Sequence, residues 1–165
     1  MTSQAFAPLD ITPLWVHIND ELIELVDVMP EDKLDWSPSP ELWNTRGILL
    51  HIAIGRHGTM SAIIKDGKTA PDIIRGGQTP QGLKDQLRIG WERLQPLLTD
   101  PEALDREYDL PFGDKTGRLT GHWLAAGHVE HDIHHRADIY HYLALLGVKH
   151  GEPDTIMRMF GVGRA

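Results

Sequence analysis

The chain contains no cysteine among its 165 residues. Disulfide bonds, thiolate metal sites and a cysteine nucleophile are therefore excluded. It also lacks a long apolar run, since no stretch approaches the roughly 18 consecutive apolar residues that a membrane span requires. The opening segment, MTSQAFAPLDITPLW, has no basic region followed by an apolar one and does not look like a secretory signal. We expect a soluble, cytoplasmic protein with no membrane partner.

Basic residues are also scarce. The 16 Lys and Arg residues face 24 Asp and Glu residues, which gives a formal net charge of −8 at pH 7. Nucleic-acid binding draws its affinity from clustered basic residues, so nucleic acid is not an expected partner. The sequence also has no G-x-S-x-G elbow, P-loop or dinucleotide fingerprint. A chain of this length can build one domain, 1–165, with a substantial core.

Helical periodicity dominates the remaining sequence. Three of the predicted helices open with a threonine or serine followed by a proline, a pairing typical of an N-cap and the first helical position. Apolar residues then recur at spacings of three and four. Pro96 is expected to kink or end the third helix. The predicted long helices cover 12–30, 41–65, a segment beginning at Thr79-Pro80, and 121–147.

The connections between these helices differ in character. The segment 66–78 is rich in turn-forming residues and predicts an irregular connection. Alternating apolar residues over 108–112, followed by the turn-forming 113–117, predict a short hairpin or ordered loop before the last helix. A short closing helix is expected over 155–160. Four long helices with this connectivity predict an all-α fold, a four-helix bundle.

The last predicted helix carries six of the ten histidines. At about 100° per residue, His131 and His135 lie one turn apart on one stripe, with His128 one turn earlier. Val129 and Ile133 lie on the adjoining apolar arc. The pattern therefore turns two imidazoles toward the protein interior, where polar groups need a partner.

A third histidine is available on the second helix. Two histidines at i and i+4 can bind one ion, and a third from a neighbouring helix completes a three-histidine site with open positions. His51 is the candidate, because it lies in the middle of a stripe of small residues. Glycine inside a helix costs about 1 kcal/mol relative to alanine, so we expect either close helix approach or ligand space there. The small residues of this stripe are Gly47, Gly55, Gly58 and Ala62.

The same residues also have a simpler interpretation. An H-x-x-x-H pair occurs on ordinary solvated helix faces, where it makes the helix sensitive to pH. Asp132 and Arg136, spaced i to i+4, are expected to form a pair on the helix surface, although Asp132 and Asp138 can instead orient a ligating histidine. The remaining histidines are expected at the surface, namely His17, His57, His122, His134, His141 and His150.

The motif HDIHHRADIYHYLALLG follows the histidine of GILLHIAIGRH by about eighty residues. This arrangement resembles the DinB-like superfamily of predicted metalloenzymes. The resemblance extends over nearly the whole chain, including the entry WSPSPELWNTRGILLH to the second helix. It implies a four-helix bundle, often dimeric, in which His51, His131 and His135 hold a divalent metal. The Gly-Gln that usually follows H-x-x-x-H-R is Ala137-Asp138 here.

The resemblance also implies an activity. Better understood relatives are thiol-dependent transferases that use bacillithiol, mycothiol or glutathione. By analogy we expect a metal-dependent transferase or hydrolase acting on a small molecule, with Zn²⁺ or Ni²⁺ and a low-molecular-weight thiol as cofactors. His128 is a candidate for a fourth metal ligand or for proton transfer, Tyr142 is a candidate for proton transfer, and a homodimer is expected. Two alternatives stay open: a non-catalytic metal-binding stress-response bundle, and a dimerisation module.

Overall fold

The structure is a computed structural model that describes residues 10–153 together with Thr155 and Met157. The closing helix predicted over 155–160 thus lies largely outside the described residues. In chain order the elements are α1 (Thr12–Val28), a 3-10 turn (Glu31–Lys33), α2 (Thr45–Ile64), α3 (Ala70–Gly76), α4 (Pro80–Thr99), α5 (Pro101–Asp105), β1 (Glu107–Phe112), β2 (Lys115–Thr120) and α6 (Gly121–Leu145).

The four long helices enclose one apolar core. Helix α4 contacts α1 and α2, and α6 contacts the same two helices. Each long helix contributes fully buried side chains, because each has an apolar stripe that must be removed from water. Trp15 and Leu22 come from α1, Ile52 from α2, Leu87 from α4 and Ile139 from α6. The predicted helical fold, with a hairpin before the last long helix, is confirmed.

The start of α2 differs from the prediction. The helix begins at Thr45, not near residue 41, because Asn44 is the residue whose side chain caps it by accepting a hydrogen bond from the Gly47 N–H at 2.7 Å. Ser39 closes a turn instead, accepting from the Leu42 N–H at 3.1 Å. The four residues before the helix therefore remain a loop, and this loop contributes Trp43 to the site described below.

The end of helix α4 and two short helices were not predicted correctly from the apolar periodicity of the sequence. The Thr79 side chain caps α4 as predicted, accepting from the Gly82 N–H at 3.0 Å. Pro96 does not end the helix, which continues to Thr99. The short helices α3, within the predicted irregular connection, and α5 were not predicted, because elements of seven and five residues carry too few turns for a periodic signal.

The hairpin directs the chain into α6. Strands β1 and β2 pair antiparallel from Glu107 opposite Thr120 to Phe112 opposite Lys115. Thr120 then caps α6 through the Trp123 N–H. Gly121 follows at a point of close approach, where a Cβ would lie 2.7 Å from the Leu104 Cα. Only glycine fits at this junction without moving the α5 backbone.

Among the described helices, α2 alone is long and apolar enough to cross a membrane by length and composition, with a mean hydropathy of 1.2. The core helix of a bundle meets the same criteria. Two fully buried polar residues, Arg56 and His57, lie in the middle of α2 and face other parts of the protein. The apolar character of α2 is thus accounted for by its position in the core.

His57 contradicts the expectation of a surface histidine, since its side chain is fully buried. The error arose because α2 is buried on more than one side, so that no single polar stripe exists. Burial, together with the nearby Lys68 and Arg93 charges, lowers the pKa of His57 from 6.5 to about 4. The imidazole is therefore neutral in the folded protein at neutral pH.

We predict that His57 makes the protein lose stability in mild acid. Its folded-state pKa is depressed, so only the unfolded chain takes up the proton between pH 6.5 and about 4. The contribution is present above pH 6.5 and is lost as pH falls, up to about 3 kcal/mol. Urea denaturation across this window should show a flatter pH dependence for His57→Leu. The exposed-site control His141→Leu should follow the wild type; a His57→Leu profile parallel to the wild type would contradict the prediction.

Candidate metal centre

The structure brings together the three histidines that the sequence singled out. His51 from α2 meets His131 and His135 from α6, and their ligating nitrogens all lie within 4.8 Å of one another. The Nε2 atoms of His51 and His131 are 2.8 Å apart. Ring centroids are separated by 4.7 to 5.0 Å. The three imidazoles form one cluster, which we call the histidine cluster.

The donor chemistry of this cluster fits a divalent ion such as Zn²⁺ or Ni²⁺. Metal–nitrogen bonds of about 2.0–2.1 Å around a tetrahedral ion place ligand nitrogens roughly 3.3 Å apart. The observed distances between the nitrogens bracket this value, so side-chain rotations that move the nitrogens by on the order of 1 Å would suffice for all three to bind one ion. Burial, followed by the neighbouring imidazoles, lowers the pKa of His51 to about 4. Burial also lowers the pKa of His135. Both rings are thus neutral at neutral pH, the form that ligates.

An aromatic side chain covers the cluster on its outer side. The Trp43 ring lies 4.5 Å from His51 and 6.0 Å from His135, centroid to centroid. The Tyr142 hydroxyl donates to the Trp43 carbonyl at 2.9 Å and fastens this part of the loop to α6. Trp43 is half exposed and was not identified from the sequence, because it lies in a loop without periodicity. Its position makes it an optical reporter of events at the cluster.

The two other candidate residues lie beside the cluster, not in it. His128 is outside the group of converging ligand atoms. Its Nε2 lies 2.9 Å from the Thr59 hydroxyl, and its ring stacks on Trp15. Burial lowers the pKa of His128 to about 4. Tyr142 is buried, with its hydroxyl engaged as described above and its pKa raised by burial. Their roles in proton transfer stay predictions.

Asp132 and Arg136 do not form the expected surface pair. Both are buried, and they point to different partners. Asp132 Oδ2 accepts from Trp15 Nε1 at 2.7 Å and from Arg56 Nη2 at 2.8 Å, whereas Arg136 pairs with Glu21 of α1. The i to i+4 rule describes exposed helix faces, and it does not apply here because this side of α6 lies inside the protein.

Arg56 is the centre of a hydrogen-bond network that reaches every long helix. Its Nη1 donates to Asn19 Oδ1 at 2.8 Å and to the Leu87 carbonyl at 3.1 Å. Burial tends to raise the pKa of Asp132, but the Arg56 charge and the hydrogen bonds hold it below its usual value. The buried carboxylate is therefore charged and lies directly beneath the histidine cluster.

Carboxylate oxygens lie near the Nδ1 atoms of two of the three histidines. His135 Nδ1 lies 3.1 Å from Asp138 Oδ2, which is a hydrogen-bonding distance. His131 Nδ1 lies 3.6 Å from Asp132 Oδ1, which is too long for a hydrogen bond. The sequence had indicated both aspartates as residues that can orient a histidine, and the structure places a carboxylate oxygen near the Nδ1 atom of each ring.

A cleft of about 550 Å³ opens beside the histidine cluster, between α2, α6 and the hairpin. Two members of the small-residue stripe, Gly55 and Gly58, line it. A Cβ at Gly58 or at Gly127 of α6 would meet no atom within 4 Å, and one at Gly55 would only touch ring carbons of His128 and His131 at 4.0 Å. These glycines thus provide open space beside the cluster, and close helix approach is not their reason.

The chemistry of the cleft is largely apolar. None of its described lining residues is Asp, Glu, Lys or Arg. The indole of Trp123 and the Leu119 side chain are both exposed at its rim. Polar groups enter only at its inner end, through the imidazoles and the Thr59 hydroxyl. A second cleft, lined in part by Trp43 and His135, includes the charged side chains of Glu41 and Asp138.

The outcome for the remaining histidines is mixed. His122, His134 and His141 are exposed, as expected. His17 and His150 are half-buried, and His17 Nε2 lies 3.7 Å from the buried Glu21 carboxylate.

These features define a helical protein whose second and last long helices present a three-histidine cluster beside a cleft. The sequence profile of the DinB superfamily matches residues 15–139, and the chain belongs to this superfamily. The resemblance seen in the sequence is thus confirmed.

Known proteins of the same superfamily include similar sequences and structures. The chain is 27% identical to the uncharacterised protein YjoA of Bacillus subtilis (strain 168) over 128 residues, which cover 75% of this chain and 80% of YjoA. The crystal structure of YjoA, a DinB-like protein, matches with a TM-score of 0.62 at 25% identity and covers 87% of this chain and 94% of that one. A protein assigned to the DinB family from Exiguobacterium sibiricum 255-15 matches with a TM-score of 0.60, covering 82% and 88%; at 15% identity this is a likeness of fold alone.

We predict that Arg56→Met destabilises the protein by about 3–5 kcal/mol, because it leaves the Asp132 carboxylate buried without its cation. Urea denaturation followed by circular dichroism measures the change. Lys84→Met provides the matched control, since Lys84 pairs with the exposed Asp27 of α1 at 2.7 Å. This surface pair should contribute less than about 1 kcal/mol. Equal losses for the two variants would contradict the prediction.

Proposed function

We propose that the protein is a metal-dependent enzyme in which His51, His131 and His135 hold one divalent ion. The observation that carries this proposal is a set of three converging imidazoles beside a cleft. Structural zinc sites are closed by four protein ligands, whereas catalytic sites take three and leave a position for water or substrate. Among the described residues, the group holds no fourth histidine or carboxylate. An open three-ligand site favours catalysis over a purely structural role.

Zn²⁺ or Ni²⁺ bound here would supply Lewis-acid chemistry, lowering the pKa of a water or a low-molecular-weight thiol. The chain's own residues would orient and desolvate the reactants. Trp43 limits access of water from one side, and the His128–Thr59 pair lies at the inner end of the cleft, where a neutral imidazole can accept a proton. We propose thiol transfer to an electrophilic small molecule, or its hydrolysis, as the reaction class.

The lining of the cleft suggests the kind of substrate. A cleft without charged side chains favours an uncharged, largely apolar group, because a charged group would lose hydration without gaining a partner. Its electrophilic centre would then lie at the inner end, next to His51 and His131. We propose a small, neutral, apolar electrophile. A cytoplasmic location, expected from the sequence, and a homodimer, implied by the family resemblance, accompany this proposal.

We predict that untagged protein binds one equivalent of Zn²⁺ or Ni²⁺ and that His135→Ala abolishes this binding. Isothermal titration and elemental analysis measure it directly, and quenching of Trp43 fluorescence by Ni²⁺ reports it optically, with Trp43→Phe removing the signal. His141→Ala is the matched control, because His141 is exposed on the same helix and belongs to no group of converging ligand atoms among the described residues, whereas His134 forms a second such group with His135 and Asp138. A wild-type protein that binds neither ion removes the basis of the proposal.

We predict that Gly58→Leu lowers kcat/KM at least about tenfold by filling the cleft, while metal affinity is unchanged. The assay combines the metal-loaded protein with a small thiol and an aryl halide, or with a neutral aryl ester. Ala126→Leu is the control, since this position is exposed on α6 and does not line the cleft. Equal activity of Gly58→Leu and wild type would place the substrate elsewhere.

The assay also separates the alternatives. A loaded protein that melts at higher temperature but is inert toward every thiol and ester would support a non-catalytic metal-binding bundle. A His51→Ala variant that folds and self-associates unchanged, from a parent that binds no metal, would support a dimerisation module.

A further inference from the structure

Two buried polar atoms beneath the histidine cluster face each other without a partner. Asp132 Oδ1 and His131 Nδ1 are both inaccessible to water, and neither has a hydrogen-bond partner among the described residues. They lie 3.6 Å apart. Leaving both unsatisfied is unfavourable, because each buried group has lost its hydration without gaining a hydrogen bond. A small rotation of the imidazole would bring them within hydrogen-bonding distance and would satisfy both.

We propose that Asp132 is a positioning residue for the metal site: it accepts a hydrogen bond from His131 Nδ1–H and so leaves His131 Nε2 unprotonated and directed at the cluster. This inference rests on the proposed function, in which His131 is a ligand. The partner of the second ring nitrogen determines the tautomer of a ligating histidine. Asp132 is therefore in a position to determine the tautomer of His131.

The contact between the two Nε2 atoms is consistent with this assignment. At 2.8 Å, His51 Nε2 and His131 Nε2 must share one proton, so that one atom donates and the other accepts. If His131 carries its proton on Nδ1, then its Nε2 is the acceptor and His51 Nε2–H is the donor. The same tautomer of His131 therefore satisfies the contacts on both sides of its ring.

The Asp132 carboxylate is held firmly enough to perform this role. Its other oxygen, Oδ2, accepts from Trp15 of α1 and from Arg56 of α2, and Arg56 is itself fixed by Asn19 and the Leu87 carbonyl. Two donors on Oδ2 fix the orientation of the carboxylate and leave Oδ1 toward His131. The carboxylate beside His135 is held less firmly, because Asp138 is 40% exposed and water can compete for its contact with His135.

This arrangement makes Asp132→Asn an informative variant. Trp15 and Arg56 can only donate, so the amide oxygen of asparagine must take the place of Oδ2. The amide NH₂ then faces His131 Nδ1 and donates to it. That hydrogen bond favours the tautomer protonated on Nε2, which is the nitrogen that must bind the ion. The substitution thus reverses the proton position without changing the size of the side chain, the same logic that gives a wrong tautomer in the serine-protease triad.

The first experiment needs no metal. Nitrogen-15 NMR of metal-free protein at about pH 8, where histidine is neutral, reports the tautomer of each ring, and a His131→Gln spectrum assigns the His131 signals. We expect Nδ1–H in the wild type and Nε2–H in Asp132→Asn. A wild-type His131 protonated on Nε2 would overturn the proposal, whether or not the variant folds.

The second experiment measures Zn²⁺ affinity by competition with a chelating dye. We expect Asp132→Asn to bind about 10–100-fold more weakly than the wild type. Glu21→Gln is the matched control, because it also removes a buried carboxylate paired with an arginine, here Arg136, and Glu21 is outside the group of converging ligand atoms. Its affinity should stay within about twofold. A folded Asp132→Asn with wild-type affinity would overturn the proposal, whereas a wild type that binds no Zn²⁺ would instead refute the metal-dependent function and leave the tautomer result standing.

Discussion

The arrangement of the four long helices depends on one buried ion pair, between Arg56 of α2 and Asp132 of α6. Two charges without access to water are costly unless each is surrounded by partners. The partners here come from α1 and α4 as well, so the network links all four long helices. Gly90 of α4 admits Arg56, because a Cβ there would lie 3.2 Å from the Arg56 Cβ.

The histidine cluster depends on this ion pair because of its place in the chain. Asp132 directly follows His131, so the bond that holds Asp132 inside the core also sets the depth and rotation of α6 at the cluster. Arg56 lies five residues after His51 on α2, and its hydrogen bonds fix the opposing helix in the same way. The imidazoles therefore converge as a consequence of how the core is built, and the glycines of α2 and α6 leave the adjacent cleft open.

Local chemistry predicted part of this molecule well. Thr79 and Thr120 cap their helices as expected, and the hairpin lies where alternation and turn residues indicated. The stripe containing His131 and His135 faces inward, toward His51. Where local signals competed or were short, the predictions were wrong: α2 begins at Thr45, capped by Asn44, and not at the earlier serine–proline pair, and two short helices were missed.

The sequence by itself determined the long helices, the hairpin and the residues available as ligands, because capping and periodicity act over a few neighbouring residues. Only the tertiary structure decided that Asp132 pairs with Arg56 and Arg136 with Glu21, that His57 is buried, and that Trp43 covers the cluster. Each of these depends on a helix or loop distant in sequence. A helical wheel shows which face a residue occupies, but not what lies opposite it.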